Sequence, residues 1–398
     1  MIPIRHYVAA VLLAAIVGCD DPSQSPTDPE SAPAVASLAA SLTFASISAG
    51  TYSVCGVTTI NQGYCWGDNQ EGQLGDGTTT DKSAPVAVTR GLKFVQISAG
   101  TYHSCGVTTT SRVYCWGLND YGQLGTTSFR RLQPTLVQGF QFVQVDVGFR
   151  HSCARTPTNV VYCWGDNTFG QLGDGTGTSR LQPRPIAGAR RFRRINAGGA
   201  HTCGVTTAER TFCWGSNSNG QLGDGTLTNR LKPVEVSGGV TFVLVSAGAA
   251  VTCGLTAERR AYCWGSNEGG RLGDGTETQR LTPTPVSGSL SFAQVTPGAH
   301  TCGVTTANKA YCWGDNFTGG LGDGTETNRL TPVAVLGGLA FSGVSMGGYH
   351  SCGVTTTKRA YCWGHNGQGQ LGLGVANGPE ICSFGVPCST KPRAVVGP

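Results

Sequence analysis

The chain has 398 residues, of which 60 are glycine and 13% are charged. Glycine disfavours helices, so this composition excludes a helix-rich protein, and 39% hydrophobic residues exclude a disordered chain. The formal net charge of +5 permits acidic partners but does not indicate nucleic acid binding. These numbers favour an all-β, turn-rich architecture.

The N-terminus carries a targeting signal. Residues 7–18 are apolar, follow Arg5 and are too few to span a bilayer, so residues 1–18 are predicted to be a signal peptide. The run ends in Ile-Val-Gly-Cys, which resembles a bacterial lipobox and implies that Cys19 is acylated after cleavage. An ordinary secretory signal with an unrelated cysteine is the alternative. The chain has 17 cysteines, and assigning Cys19 to lipid leaves an even number for disulfides.

The segment that follows the signal is polar. Residues 19–43 comprise the predicted lipidated cysteine and a tether rich in Pro, Ser and Asp. We therefore expect an extracytoplasmic, membrane-anchored protein of the periplasm or cell surface.

Seven copies of one unit fill the remainder, residues 44–398. The tripeptide Cys-Trp-Gly occurs seven times at intervals of 48 to 50 residues and includes all seven tryptophans. Another cysteine lies ten residues before the cysteine of each Cys-Trp-Gly tripeptide. The pairs are Cys55 and Cys65, Cys105 and Cys115, Cys153 and Cys163, Cys203 and Cys213, Cys253 and Cys263, Cys302 and Cys312, and Cys352 and Cys362.

Each unit is predicted to contain four short strands. In residues 94–138, strand a is FVQISA, strand b is HSCGVT and strand c is VYCWG; a long Gly/Asn loop then leads to strand d. Four strands with glycine-rich turns are typical of a propeller blade.

The repeated motif resembles a known family. The patterns F-x-x-[IV]-x-A-G-x-x-H-[ST]-C-G-V-T and Y-C-W-G-x-N-x-x-G-Q-L-G-D-G-T are similar to the regulator-of-chromosome-condensation repeat. That resemblance implies a seven-bladed β-propeller of four-stranded antiparallel blades. It does not fix the function, because members act as exchange factors, inhibitors and interaction platforms. Unit 7 departs from the pattern by an insertion that carries Cys382 and Cys388, and either Pro33–Ser37 or Arg393–Val396 is expected to supply the strand that closes the ring.

The cysteine pairs are predicted to be disulfides. A separation of ten residues across a short turn places the two cysteines opposite each other in a hairpin, within bonding range. Seven such bridges within blades, with Cys382–Cys388 as an eighth, fit an oxidising compartment. Metal binding is the alternative, but the spacing is not that of a zinc site, so we predict no metal and no cofactor.

Other recurring residues are interpreted as structural. The tryptophans are expected to pack between blades rather than to form a ligand-binding ring, and the Asp-Gly-Thr repeats to cap turns, with calcium binding as the alternative. A histidine precedes the first cysteine of the pair in five units, at His103, His151, His201, His300 and His350. A general base would occur once beside a unique partner, and no Ser-His-Asp grouping or phosphate-binding loop is found, so we predict that the protein is not an enzyme.

One face is predicted to bind a partner. In an up-and-down blade the a–b turns and c–d loops lie together, and large residues there cluster in units 7, 1, 2 and 3, although Phe317 lies in unit 6. The predicted contact residues are Tyr52, Tyr102, Tyr121, Phe149, Arg150, Phe169 and Tyr349. Aromatic residues beside an arginine have the composition of a binding hot spot; the alternative is that they plug the mouth of the ring.

The opposite face offers a basic candidate. Arg190, Arg191, Arg193 and Arg194 flank Phe192 at the entrance to unit 4. Solvated or locally paired arginines are the alternative interpretation.

These observations predict an exported, lipid-anchored interaction scaffold that binds a protein or glycan on one propeller face. An inhibitor of an extracytoplasmic enzyme is the alternative. Guanine-nucleotide exchange is less favoured because small GTPases are cytosolic. We expect a monomer that does not bind nucleic acid.

Overall fold

The structure is a computed structural model that describes residues 42–398. The predicted signal peptide, Cys19, the tether and the candidate closing segment Pro33–Ser37 lie outside the described residues. From Phe44 onward the chain forms seven antiparallel β-sheets arranged as the blades of a propeller. The predicted fold is therefore confirmed.

Each blade is one continuous stretch of chain. Blades 1 and 2 contain β1 (Phe44–Ala49), β2 (Ser53–Thr58), β3 (Gly63–Gly67), β4 (Lys82–Ala87), β5 (Phe94–Ala99), β6 (His103–Thr108), β7 (Val113–Leu118) and β8 (Arg130–Leu136). Blades 3 and 4 contain β9 (Gln144–Val147), β10 (His151–Arg155), β11 (Val161–Gly165), β12 (Arg180–Pro185), β13 (Phe192–Ala197), β14 (His201–Thr206), β15 (Thr211–Gly215) and β16 (Arg230–Glu235). Blades 5 and 6 contain β17 (Leu244–Ala247), β18 (Val251–Leu255), β19 (Ala261–Gly265), β20 (Arg280–Pro285), β21 (Phe292–Pro297), β22 (His300–Thr305), β23 (Ala310–Gly314) and β24 (Arg329–Ala334). Blade 7 contains β25 (Phe341–Met346), β26 (His350–Thr355), β27 (Ala360–His365), β28 (Glu380–Cys382) and β29 (Val386–Ala394).

The ring closes between blades 7 and 1. Strands a of neighbouring blades contact one another around the axis, and β25 contacts β1 to complete the circle. The C-terminal alternative supplies strand d of blade 7, since β29 pairs with β27 and places Arg393 opposite Cys362. In the part of the chain that the structure describes, helix is limited to two single 3₁₀ turns, and no helix is long and apolar enough to cross a membrane.

The hydrophobic core lies between blades rather than within them. The core between blades 1 and 2 joins Cys55, Leu74 and Phe94 with Trp116. Trp116 is fully buried, and its indole N–H donates to the Gln73 carbonyl of blade 1 at 2.8 Å. All seven tryptophans are fully buried against a neighbouring blade, which confirms that they pack between blades, and five of the seven indoles donate to a carbonyl of that neighbour.

Side chains on strands a add polar links between neighbours. The Ser48 hydroxyl of blade 1 accepts the Ala99 N–H of blade 2 at 3.0 Å. The Gln96 amide of blade 2 donates to the Val145 carbonyl of blade 3 at 2.8 Å and accepts its N–H at 3.2 Å. At these junctions one blade is thus bonded to the backbone of the next one as well as packed against it.

A ring of glycines brings the blades close to the axis. A glycine follows the last residue of each strand a, and a Cβ atom there would collide with the backbone of the next blade. At Gly100 it would lie 2.7 Å from the Gly148 oxygen, and at Gly248 it would lie 2.6 Å from the Pro297 oxygen and 3.0 Å from the Gly298 nitrogen. Real Cβ atoms do not approach backbone so closely, so only glycine permits this packing.

Replacing one ring glycine should weaken the whole propeller. Gly248→Ala forces a methyl group against three backbone atoms, and we expect it to lower the free energy of unfolding by at least about 2 kcal/mol. Gly177→Ala is the matched control, because Gly177 has ordinary φ and its nearest neighbouring atom would be 3.8 Å away. Denaturant unfolding of both variants would measure the difference. Equal stability of the two would contradict the proposed constraint.

Candidate functional site

The a–b turns and c–d loops lie on one face, as predicted. Phe317 of a c–d loop packs on Tyr349 of an a–b turn with ring centroids 5.4 Å apart, and Tyr349 is 6.3 Å from Tyr52. Phe384 continues this line, 6.0 Å from Phe317. We name these four residues, Phe384, Phe317, Tyr349 and Tyr52, the aromatic row; it crosses blades 6, 7 and 1.

Tyr102 and His365 flank the inner end of the aromatic row. The Tyr52 and His365 rings are 6.3 Å apart, edge to face. Burial raises the pKa of the Tyr52 hydroxyl, and the neighbouring Tyr349 and Tyr102 hydroxyls raise it further. Three of the four predicted tyrosines, Tyr52, Tyr102 and Tyr349, therefore lie together.

The insertion of blade 7 presents the most exposed aromatic residue of the row. Phe384 is 88% exposed and has φ of 63°, a conformation that bulky residues rarely adopt. The insertion is held by Cys382 and Cys388, which lie at disulfide distance, and by Glu326, which accepts the Ser383 N–H at 2.7 Å. The anchored insertion therefore holds a strained, exposed phenylalanine ring at the outer end of the aromatic row.

The remaining predicted contact residues form a second group. The Arg150 guanidinium lies 5.1 Å from the centroid of the Tyr121 ring, and its Nη1 donates to the Tyr121 hydroxyl at 3.3 Å. Phe149 is 44% exposed and lies against Gly199 of blade 4, where a Cβ would meet its ring at 3.1 Å. Phe169 is 41% exposed and makes no ring contact within residues 42–398. The predicted set is therefore split, and Phe169 stands apart.

Phe149 and the inner end of the aromatic row meet at the central cavity. The cavity has a volume of about 340 Å³ and is lined by the ends of all seven strands a, with Tyr52, Phe149 and Tyr349 among its lining residues. Asp146, on strand a of blade 3, also lines it. Burial raises the pKa of the Asp146 carboxyl to about 6, although it accepts hydrogen bonds from Ser98 and Asn196. The aromatic side chains border this opening without filling it, contrary to the plug alternative.

Sequence reasoning missed Phe317 and Phe384 as contact residues. Phe317 is one position out of register with Tyr121 of the aligned loop and belongs to a blade that otherwise has small residues on this face. Phe384 lies in an insertion with no counterpart in the other units. The available signal was the pair Cys382 and Cys388, which indicated an ordered loop beside blade 7.

The Asp-Gly-Thr repeats form ion pairs. Asp174 accepts hydrogen bonds from Arg180 at 2.8 Å and from the Thr176 hydroxyl at 2.7 Å. Burial raises the pKa of Asp174, but the hydrogen bonds of Thr176 and Arg180 outweigh it and hold the pKa below its ordinary value. The same arginine pair recurs in blades 4, 5 and 6, with Lys82 in its place in blade 1. These carboxylates are already neutralised, which disfavours calcium, and residues 42–398 contain no cluster of three metal-ligating side chains.

The basic candidate is largely paired locally. Arg193 forms an ion pair with Glu209 at 3.1 Å, and Arg190 lies 4.5 Å from the centroid of the Phe212 ring. Phe192 is fully buried. These two arginines thus support the interpretation as local contacts, whereas Arg191 and Arg194 remain exposed.

The recurring histidines link blades. His103 Nε2 lies 2.8 Å from the Ser152 hydroxyl of blade 3, and that hydroxyl donates to the Gln123 carbonyl at 2.9 Å. The histidine therefore donates and the hydroxyl accepts. Burial lowers the pKa of His103, His201 and His350 to about 3 and of His151 and His300 to about 4. These histidines are therefore buried between blades in their neutral form.

His350 lacks the hydroxyl that the others contact. In blade 1 the equivalent of Ser152 is Val54, and neither ring nitrogen of the buried His350 has a hydrogen-bond partner among the described residues. The junction between blades 7 and 1 therefore has one hydrogen bond fewer than the junction between blades 2 and 3.

All sixteen cysteines of the described chain lie in pairs at disulfide distance, in the pairing that the sequence predicts. Within each blade the two cysteines stand directly opposite each other on strands b and c, with Cα atoms 4.0 or 4.1 Å apart. From blade 1 to blade 7 these pairs are Cys55 with Cys65, Cys105 with Cys115, Cys153 with Cys163, Cys203 with Cys213, Cys253 with Cys263, Cys302 with Cys312, and Cys352 with Cys362.

The eighth pair, Cys382 with Cys388, has Cα atoms 5.8 Å apart and lies in the insertion of blade 7. The proximity within all eight pairs supports the predicted bridges over the metal alternative. Many such pairs are a sign of an oxidising environment.

Comparison with sequence families gives a consistent result over most of the chain. A sequence profile for the RCC1-like domain matches residues 15–299, and profiles for the regulator of chromosome condensation (RCC1) repeat match residues 308–354 and 341–370. A search of curated proteins finds no match.

Solved structures share the fold at low sequence identity. Human WBSCR16 is 23% identical with a TM-score of 0.73, covering 79% of this chain and 88% of that one. Prp20p of Saccharomyces cerevisiae is 24% identical with a TM-score of 0.68, covering 76% and 80%. The CRINKLY WD40 ectodomain of the Arabidopsis thaliana receptor kinase ACR4 is 21% identical with a TM-score of 0.52, covering 81% and 96%.

Supplying the missing hydroxyl should stabilise the ring. Val54→Thr places a hydroxyl where His350 can donate to it, as Thr202 does for His151, and we expect a gain of about 1 kcal/mol in unfolding free energy. Val57→Thr is the control on the same strand, and there the buried hydroxyl should destabilise. Thermal and denaturant unfolding measure both changes. A loss of stability in both variants would show that His350 does not use the hydroxyl.

Proposed function

This chain belongs to the RCC1-like domain family, whose propeller fold often mediates protein interactions, and we propose from that premise that it is an exported, lipid-anchored interaction scaffold whose partner is a protein. The partner docks on the face formed by the a–b turns and c–d loops. The observation that carries the proposal is the aromatic row, with the strained and exposed Phe384 at its outer end.

The aromatic row suits protein recognition. The centroids of successive rings in the row lie 5.4 to 6.3 Å apart, so the rings form one continuous apolar strip. Rigid aromatic side chains give contact area at low entropic cost and are frequent at the centres of protein interfaces. Blade formation does not require them, because the equivalent turn of blade 4 has Gly199 and Ala200.

Two acidic residues lie beside the aromatic row. Asp68 lies close enough to raise the pKa of Tyr52, and Glu326 accepts the N–H of Ser383, the residue before Phe384. The partner should therefore present apolar anchors within a basic surface.

Export is supported by the cysteine pairs and the N-terminal sequence. Eight pairs at disulfide distance favour an oxidising compartment. In this proposal the apolar run before Cys19 is the core of the signal peptide, and Cys19 itself is the acylated residue.

Related activities fit less well. An inhibitor of an extracytoplasmic enzyme would use the same face, and only the identity of the partner distinguishes it from a scaffold. Prp20p of Saccharomyces cerevisiae has binding properties toward Gsp1p and histones, but at 24% identity the likeness shows the fold alone and does not transfer those partners to this chain. The buried histidines and paired aspartates offer no reacting group on the proposed face.

The anchor and the disulfides can be tested together. Intact mass spectrometry of the mature protein should show an N-terminus at Cys19 with attached acyl chains and sixteen oxidised cysteines. Cleavage at another residue without lipid would contradict the anchor, and free thiols at the blade positions would contradict the oxidising compartment.

The docking face can be tested with a variant that relieves strain. Glycine readily adopts the φ of Phe384, so Phe384→Gly should leave the fold intact while removing the outermost aromatic anchor. Partners captured from native envelopes would be identified, purified and titrated against wild type and variant. We expect at least about tenfold weaker binding, in the range of a lost aromatic hot spot.

The control is an exposed apolar residue on the opposite face. Ile60 is 64% exposed on the b–c tip of blade 1, so Ile60→Ala removes similar surface without touching the aromatic row. Weaker binding by Ile60→Ala with no effect of Phe384→Gly would place the partner on the other face. Capture of a polysaccharide in place of a protein would overturn the partner class.

A further inference from the structure

The two faces of the propeller carry opposite charge. The b–c tips and d–a links hold eleven Lys or Arg residues and two acids, Glu209 and Glu258. The a–b turns and c–d loops hold fourteen acids and two arginines, Arg150 and Arg271. Six of those acids pair with a basic residue at the start of a strand d, and Asp315 pairs with Arg271, which still leaves that face acidic. We name the tip and link side the basic face.

The positive charge recurs at one structural position. The residue before strand c is basic in five blades, and these residues are Arg112, Arg210, Arg260, Lys309 and Arg359. All five are exposed. Among the described residues only Arg210 has an ion-pair partner, Glu235. The basic face therefore offers largely unneutralised charge distributed around the ring.

Two hairpin tips keep a basic residue in a strained conformation. Arg259 and Lys358 have φ of 65° and 67°, in the left-handed region that disfavours most side chains. The same tip position is Asn61, Asn159 and Asn308 in other blades, and asparagine tolerates this conformation better. Blades 5 and 7 thus carry charge where local stability favours asparagine.

The N-terminal segment joins the propeller on this face. Phe44 N–H donates to the Lys358 carbonyl at 2.8 Å, and Thr59 N–H donates to the Thr43 carbonyl at 3.0 Å. Residues 1–41, which include Cys19, therefore connect to the body beside the tips of blades 7 and 1. The covalent connection toward Cys19 thus leaves the body on the basic face.

We propose that the basic face docks on the anionic surface of a phospholipid bilayer. Polybasic surfaces bind anionic headgroups, and such a surface acts together with an acyl anchor as a second membrane signal. Docking in this orientation points the aromatic row away from the bilayer, where a partner can reach it. This inference is separate from the identity of that partner and does not depend on it.

Vesicle binding tests the proposal. The purified full chain is mixed with vesicles of phosphatidylcholine alone or with about a third phosphatidylglycerol, and the bound fraction is measured by flotation. The tip variant carries Arg112→Gln, Arg260→Gln, Lys309→Gln and Arg359→Gln, which copy Gln62 of blade 1. We expect it to bind anionic vesicles at least about tenfold more weakly than wild type, with unchanged binding to neutral vesicles. Because the N-terminal segment is the same in both proteins, it does not contribute to this difference.

A second variant protects the test against misfolding. Arg259→Asn with Lys358→Asn removes two charges and relieves the strained tips, so it should be at least as stable as wild type and bind anionic vesicles at least about threefold more weakly. The matched control replaces four exposed basic residues away from the basic face by glutamine: Arg131, Arg184, Lys232 and Lys391. It should bind like wild type.

Three outcomes would overturn the proposal. The first is wild-type binding to anionic vesicles by both basic-face variants. The second is an equal loss in the control, which would show a dependence on net charge alone. The third is binding of duplex DNA by the basic face without any preference for anionic over neutral vesicles, which would assign the surface to another polyanion.

Discussion

The close approach of seven glycines around the axis is the constraint on which the rest of the structure depends. Each allows strand a of one blade to reach the backbone of the next, as the short distances at Gly100 and Gly248 show. This approach sets the spacing at which the seven tryptophans fill the gaps between blades and at which five of their indoles, including that of Trp116, donate to a carbonyl of the neighbouring blade. A larger residue would move blades apart and leave these indoles unbonded. The same spacing also brings Tyr349 and Tyr52, from different blades, into contact.

The junctions between blades are not equivalent, although the blades are alike. Between blades 5 and 6, Val251 replaces the linking histidine, Leu244 replaces the linking glutamine and Pro297 lacks an N–H for Ser246 to accept. This junction instead has an ion pair, in which Arg271 Nη2 lies 2.8 Å from Asp315 Oδ2. The polar links have been lost together at one place and replaced by a charged one on the acidic face.

The sequence predicts the scaffold much better than the site. The period of the Cys-Trp-Gly tripeptide and the offset of each cysteine pair are properties of one unit, and seven copies reinforce them. The aromatic row depends on which loops meet across three blades, and Phe317 and Phe384 become neighbours only when blades 6 and 7 pack together. The charge difference between the two faces also depends on topology. Residues at the tips are far apart in sequence, and only the strand directions show that they lie on the same face. Residues before 42 carry the predictions on signal and anchor, and these remain predictions.

Within residues 42–398, blade 7 takes its outer strand from the C-terminal segment and blade 1 begins at Phe44, so no described strand is exchanged across the closing junction. Each blade is thus formed by one contiguous segment of the chain. Duplication or loss of one such segment changes the ring by one whole module and leaves every sheet complete. A closed ring also gives each module two neighbours, so no terminal cap with a polar outer surface is needed. If the propeller arose from a single ancestral blade by tandem duplication, every ancestral form would have contained only complete sheets.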